Sequence, residues 1–178
     1  KVSAELLKSG MLAIGLSLAA MLFYIWIRFE WQFSLGAISA IIHDVIITLG
    51  IFSLLSYEVN LSIVAAVLTI VGYSMNDTVV IFDRIRENLK KYSKISISEI
   101  SDTSTNETLS RTLITSVTTL LALGSIYIFG GAILKGFSFA MIIGVIVGTY
   151  SSIFVATPIL NYTKVNQKTI LKEDSENQ

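Results

Sequence analysis

Five long apolar stretches leave this chain few folds to choose from. They cover residues 11–27, 34–56, 61–82, 112–130 and 136–160 of 178. Each approaches the roughly 20 residues that a helix needs to cross the ~30 Å hydrocarbon core of a bilayer. A soluble domain with the same 53% of hydrophobic residues would interrupt such runs with polar stripes. In lipid the backbone must satisfy its own hydrogen bonds, and spans of this length do so as helices. The sequence therefore predicts an all-α integral membrane protein built as a bundle of five transmembrane helices. Residues 1–10 form an external approach segment, 11–160 the membrane domain, 84–111 a cytoplasmic loop into which the third helix extends a turn or two on the Glu87 to Lys90 and Lys91 spacing, and 161–178 a polar, disordered tail.

The net charge is zero, but the positive charges are not evenly shared. Five crossings place Arg28, Arg84, Arg86, Lys90, Lys91, Lys94, Arg111, Lys164, Lys168 and Lys172 on one side, and only Lys1, Lys8 and Lys135 on the other. Lysine and arginine favour the cytoplasmic side, so the C-terminus is expected in the cytoplasm and Lys1 outside. An external start implies that a preceding segment delivers the chain, making it the C-terminal portion of a longer protein. Both tryptophans, Trp26 and Trp31, flank the first turn at residues 28–33, where an aromatic belt belongs. Residues 57–60 form a second short turn and Gly130-Gly131 a third. Thr105 or Asn106 is the expected cap of the fourth helix, and Pro158 loosens or ends the last one.

Within these spans the most informative residue is Asp77. A carboxylate near the centre of a membrane helix costs roughly 2.5–3.5 kcal/mol on insertion scales, so it needs a partner or a task. Arg84, seven residues on, shares its face but lies about 10 Å farther along the axis. Arg111 is the better partner, because it opens the antiparallel fourth span at a similar depth. Behind it Thr115, Thr118 and Thr119 form a hydroxyl stripe able to carry a hydrogen-bonded water chain. Desolvation favours a protonated Asp77 and a nearby arginine favours the ionised one, so changing their separation would turn the carboxylate from acceptor to donor. The competing reading is a static ion pair that holds two helices together.

Asp44, preceded by the only histidine, His43, is a second intramembrane carboxylate. Adjacent helical residues point about 100° apart, so the two cannot face one partner. His43 suits interhelical packing at least as well as a proton relay. Asn76 and Thr119 are secondary candidates. Gly144 and Gly148 are spaced for close helix packing, with a dimerisation face as the alternative.

Chemistry of other kinds finds little support. The chain has no cysteine and one histidine, which disfavours thiolate, zinc and haem sites. It has no P-loop and no nucleophile–base pair, so it is not expected to be an enzyme. No cofactor and no nucleic-acid partner are expected.

The run Gly72-Tyr73-Ser74-Met75-Asn76-Asp77-Thr78-Val79-Val80-Ile81-Phe82-Asp83-Arg84-Ile85-Arg86-Glu87-Asn88 resembles the signature of the SecF family of bacterial protein-export membrane subunits, in the SecD/SecF group of the resistance-nodulation-division superfamily. Lys1–Leu6, His43-Asp44-Val45 and Leu109-Ser110-Arg111-Thr112 with Thr115-Ser116 agree with it. The resemblance implies half of a resistance-nodulation-division type fold, without its first helix and periplasmic domain. It implies a multi-pass protein of the bacterial plasma (inner) membrane, paired with a SecD-like subunit beside the SecYEG channel. Such a protein uses the proton gradient as its energy source to assist preprotein translocation, with Asp77, Arg111 and Thr115 as its proton-responsive residues. Substrate contact would belong to the absent periplasmic domain. A proton-coupled small-molecule exporter of the same superfamily and a structural membrane scaffold are the alternatives.

Overall fold

The computed structural model describes residues 4–56, 60–92, 95–163 and 165, with the side chains of Ala4–Leu7, Met11, Ile14, Leu18 and Leu61 left aside. Five long helices carry the chain: α1 (Ala4–Arg28), α2 (Trp31–Leu54), α3 (Leu61–Lys91), α4 (Ile97–Phe129) and α5 (Gly131–Ser151). A π-helical turn, Ser152–Ala156, joins α5 to the short α6 (Thr157–Tyr162). All five membrane crossings expected from the sequence are present as helices long and apolar enough to span a bilayer.

Their ends depart from expectation in several places. Residues 84–111 are not a loop. α3 continues to Lys91, as its Glu87 to Lys90 and Lys91 spacing suggests, but α4 already begins at Ile97, leaving only a short connection between them. The Ser96 side chain, rather than Thr105 or Asn106, accepts the first-turn amide of Glu99. This serine- and threonine-rich stretch is helical because one face of it is buried and the hydroxyls of Ser104 and Thr108 find partners there, although the buried Ser101 hydroxyl does not. The hydroxyl of Thr108 donates to the Ser104 carbonyl, and Ile100, Ser101, Ser104 and Thr108 are buried. Tertiary contact outweighs the weak helix propensity of Ser and Thr.

The approach segment is likewise helical from Ala4. The turn at 28–33 shrinks to Phe29 and Glu30, and the last span starts at Gly131 instead of residue 136. Gly131 takes φ 73°, which a side chain would strain, so the Gly130-Gly131 pair reverses the chain. Pro158 lies in the first turn of α6, just after the π turn. Most of the turn at 57–60 and of the tail at 161–178 falls outside the described residues.

α3 is the central strut, packing on α5, α4 and α2. α1 touches α2 and α3, but only 7% of its apolar window is buried, against 50% for α3. At 31 and 33 residues, α3 and α4 reach about 46 and 50 Å, well beyond a ~30 Å core.

Two apolar clusters fill the bundle. One joins Phe29, Phe33 and Phe82, whose ring centroids lie 5.2–6.1 Å apart, with Ile81, Ile85 and Ala156. The other gathers Phe52, Ile63, Ile70, Leu123, Met141 and Val145. In α2, α3 and the last span alike, buried polar residues interrupt the apolar packing: Asp44, then Ser74, Asp77 and Thr78, then Ser151 and Ser152.

Candidate functional site

Asp77 is only 3% exposed, and its Oδ2 is buried without a hydrogen-bond partner. The charge that acts on it through space is Arg111. No ion pair within 4.0 Å joins the two among the described residues, and Arg111 is exposed on the flank of α4. The structure thus sets carboxylate and guanidinium in electrostatic reach without locking them together.

The hydroxyls expected beside them are folded onto their own helix. Thr115 donates to the Arg111 carbonyl at 2.9 Å, and Thr118 and Thr119 donate one turn back at 2.8 Å each. Their lone pairs remain available as acceptors. Tyr73, one turn before Asp77, brings its hydroxyl within 3.5 Å of Thr119 Oγ1. Asn76 is exposed and takes no part in this cluster.

Asp44 is in a different situation. Its carboxylate is 0% exposed, and Oδ2 accepts hydrogen bonds from Ser74 Oγ on α3 (2.5 Å) and Ser151 Oγ on α5 (2.8 Å). His43 Nδ1 lies 3.0 Å from Oδ1, and the imidazole leans on Tyr150 with ring centroids 6.4 Å apart. The two neighbours therefore bond to each other rather than to a shared third group.

The hydroxyl network then passes along α3. Ser152 and Thr78 share a hydrogen bond of 2.9 Å, Thr78 also donates to the Ser74 carbonyl, and Thr157 donates to the Ser152 carbonyl across the π turn. Sequence reasoning missed Ser151, Ser152 and Thr157. Their only signal was a Ser-Ser pair inside an apolar span.

Small residues make this closeness possible. A Cβ on Gly36 would come within 2.8 Å of the Ala156 carbonyl in the π turn. One on Gly144 would overlap the Ile70 side chain, and one on Gly148 would lie 3.0 Å from Ser74 Cβ. Gly144 and Gly148 thus seat α5 against α3 within the chain.

Beyond the apolar stretches, the polar residues of 83–88 bind α1, the α1–α2 turn, α4 and one another. Asp83 pairs with Arg28 at 3.1 Å, and Arg86 pairs with the buried Glu30 at 3.1 Å. Arg84 bonds Glu107 and Glu87 at 2.6 Å each, and Asn88 bonds Ser104 at 2.9 Å and Glu107 at 2.8 Å. Hydrogen bonds from Arg84 and then Asn88 hold the Glu107 carboxyl below its usual range. Arg84, placed by the sequence on the Asp77 face, is thus committed to α4 instead.

Comparison with known proteins agrees with this architecture. Residues 1–166 match the family described as protein export membrane protein SecD/SecF, C-terminal. Protein translocase subunit SecF of Cereibacter sphaeroides is 51% identical over 167 residues, covering 94% of this chain and 52% of the relative. That of Rickettsia bellii is 54% identical over 160 residues, covering 90% and 53%. The chain spans about half the length of these relatives. A crystal structure of SecDF in a super-membrane-facing form superposes with a TM-score of 0.85 at 40% identity, over 98% of this chain and 24% of that one. With the family match spanning nearly the whole sequence and the same five-helix architecture in a solved relative, this chain belongs to the SecD/SecF family of protein-export membrane proteins, on its SecF side.

Proposed function

We propose that the chain is the membrane part of a SecF-type subunit that uses the proton gradient to assist preprotein translocation. It works in the bacterial plasma membrane with a SecD-like subunit, beside the SecYEG channel, with its C-terminus in the cytoplasm. The observation that carries the proposal is Asp77, a buried carboxylate with an unsatisfied oxygen set near, but not bonded to, Arg111. Contact between the two is what a static pair predicts, and the absence of an ion pair between them supports the responsive reading. A separated pair leaves Asp77 able to take a proton and to lose it when Arg111 approaches. A proton crossing the full potential is worth about 2.3 kcal/mol per 100 mV, enough to bias two conformations a few kcal/mol apart.

Asp77→Asn in the full-length protein, assayed in membrane vesicles with and without an imposed proton gradient, tests this reading. Gradient-dependent export should disappear while assembly and membrane level stay normal. Export that still responds to the gradient would overturn the proposal. Loss of assembly instead would support a structural scaffold.

A further inference from the structure

We propose that Asp44 is a positioning residue for Asp77, fixing the rotation of α3, and is not itself a proton carrier; this rests on the function proposed for Asp77. The geometry begins with the hydrogen bonds of the Asp44 carboxylate. Oδ2 receives both serine hydroxyls and Oδ1 faces His43, so donors from three helices or neighbours converge on one fully buried group. Such saturation suits a fastener better than a group that exchanges protons in each cycle.

The second step is azimuth. At about 100° per residue, Ser74 and Thr78 lie within about 40° of each other on α3, and Asp77 lies about 60° from Ser74. Ser74 is held by Asp44 on α2, and Thr78 by Ser152 in the π turn. Two adjacent turns are therefore fastened on the α2–α5 side, which leaves the next face of α3, with Tyr73 and Asp77, toward α4. Tyr73 reaches Thr119 on that side. A side-chain end about 5–6 Å from a helix axis moves about 2 Å for each 20° of rotation. Small slippage at Asp44 would therefore change the Asp77–Arg111 separation by an amount that matters to a charge pair.

The third observation is the π turn itself. Inserted turns of this kind interrupt the α-helical ladder at few places, often functional ones. Here the turn follows Ser151 directly, presents Ser152 to α3 and presses its Ala156 carbonyl against Gly36 of α2. Asp44 is thus the acceptor where α2, α3 and the last span are tied together. The ionisable groups around this junction are His43 on α2, Tyr73 and Asp77 on α3, Arg111 on α4 and Tyr150 on α5.

The test uses the full-length protein in two assays. One is gradient-driven export as a function of pH. The other is infrared titration of the Asp77 carboxyl, identified as the band that Asp77→Asn removes. Asn at position 44 keeps an oxygen that can accept both serine hydroxyls, whereas Ala keeps none.

Asp44→Asn should export within about twofold of wild type with an unshifted Asp77 band; Asp44→Ala should lose export about tenfold or more and shift the band's pH midpoint. Where Asp44→Ala fails to accumulate, Ser74→Ala and Ser151→Ala each remove one fastening and should shift the midpoint in the same direction, by less. Two results would overturn the positioning role: Asp44→Asn losing export as completely as Asp77→Asn, or an unmoved midpoint in the alanine variants. Normal export in Asp77→Asn would instead overturn the function on which the inference rests.

Discussion

Asp44 and Asp77 are carboxylates of the same chemistry, both buried inside apolar helices, yet the structure treats them in opposite ways. Asp44 has hydrogen-bonding neighbours at both oxygens, supplied by α2, α3 and α5. Asp77 keeps a buried oxygen with no partner, and Arg111, the opposite charge that acts on it, is exposed on the flank of α4 and not paired with it. A saturated carboxylate lowers the energy of one arrangement and so favours keeping it. An unsatisfied one raises the energy of the arrangement it occupies, and any event that relieves it, protonation or approach of a cation, is favourable. The roles proposed for them follow from this contrast: the same residue type is a fixed point in one place and the responsive element in the other.

The contrast is most directly broken by removing each carboxylate in turn. Asp44→Ala should destabilise the full-length protein by about 3 kcal/mol or more, because two buried serines and His43 lose their acceptor. Asp77→Ala should change stability by less than about 1 kcal/mol, or raise it, since a buried group without a hydrogen bond is removed. Thermal unfolding in detergent compares the two, and equal losses would erase the distinction.

A smaller effect is expected from the glycines that seat α5 on α3. Gly144→Ala, which drives a methyl into Ile70, should cost about 1–3 kcal/mol, and Gly148→Ala about 1 kcal/mol by pressing on Ser74. Only the second should also disturb the Asp44 junction, visible as added loss of gradient response at equal protein level.

The smallest effect should come from Arg84→Gln at the exposed clamp. Its contribution fades as salt is added. Since Glu107 is held below its usual range when folded, that contribution is present at neutral pH and is lost as pH falls through the depressed value. A Tm difference between wild type and Arg84→Gln that narrows in acid would confirm the sign.

Much of this architecture is legible in the order of residues. The five crossings follow from the length of the apolar runs, and Asp77 and Arg111 stand out as charges at membrane depth. Asp44 stands out in the same way, but its role does not. Its partners are Ser74 and Ser151, 30 and 107 residues away, and they meet it only because three helices take particular rotations. Hydropathy is blind to rotation. The π turn is equally hidden, since nothing in Ser152–Ala156 spells an extra residue per turn. The helical nature of residues 97–111 is masked by their Ser and Thr content, whose pairing with α3 appears only in the folded chain.

The length of α3 and α4 has a mechanical consequence. From Asp77 to Lys91, α3 is an uninterrupted rod of about 21 Å, and the bonds of Arg84 and Asn88 to Glu107 and Ser104 brace it against α4. Two braced rods bend far less readily than one. A tilt of about 10° at the level of Asp77 would swing their far ends through about 4 Å. The hairpin formed by these helices would therefore carry a small tilt beside Asp77 out to its far end, beyond the apolar stretches.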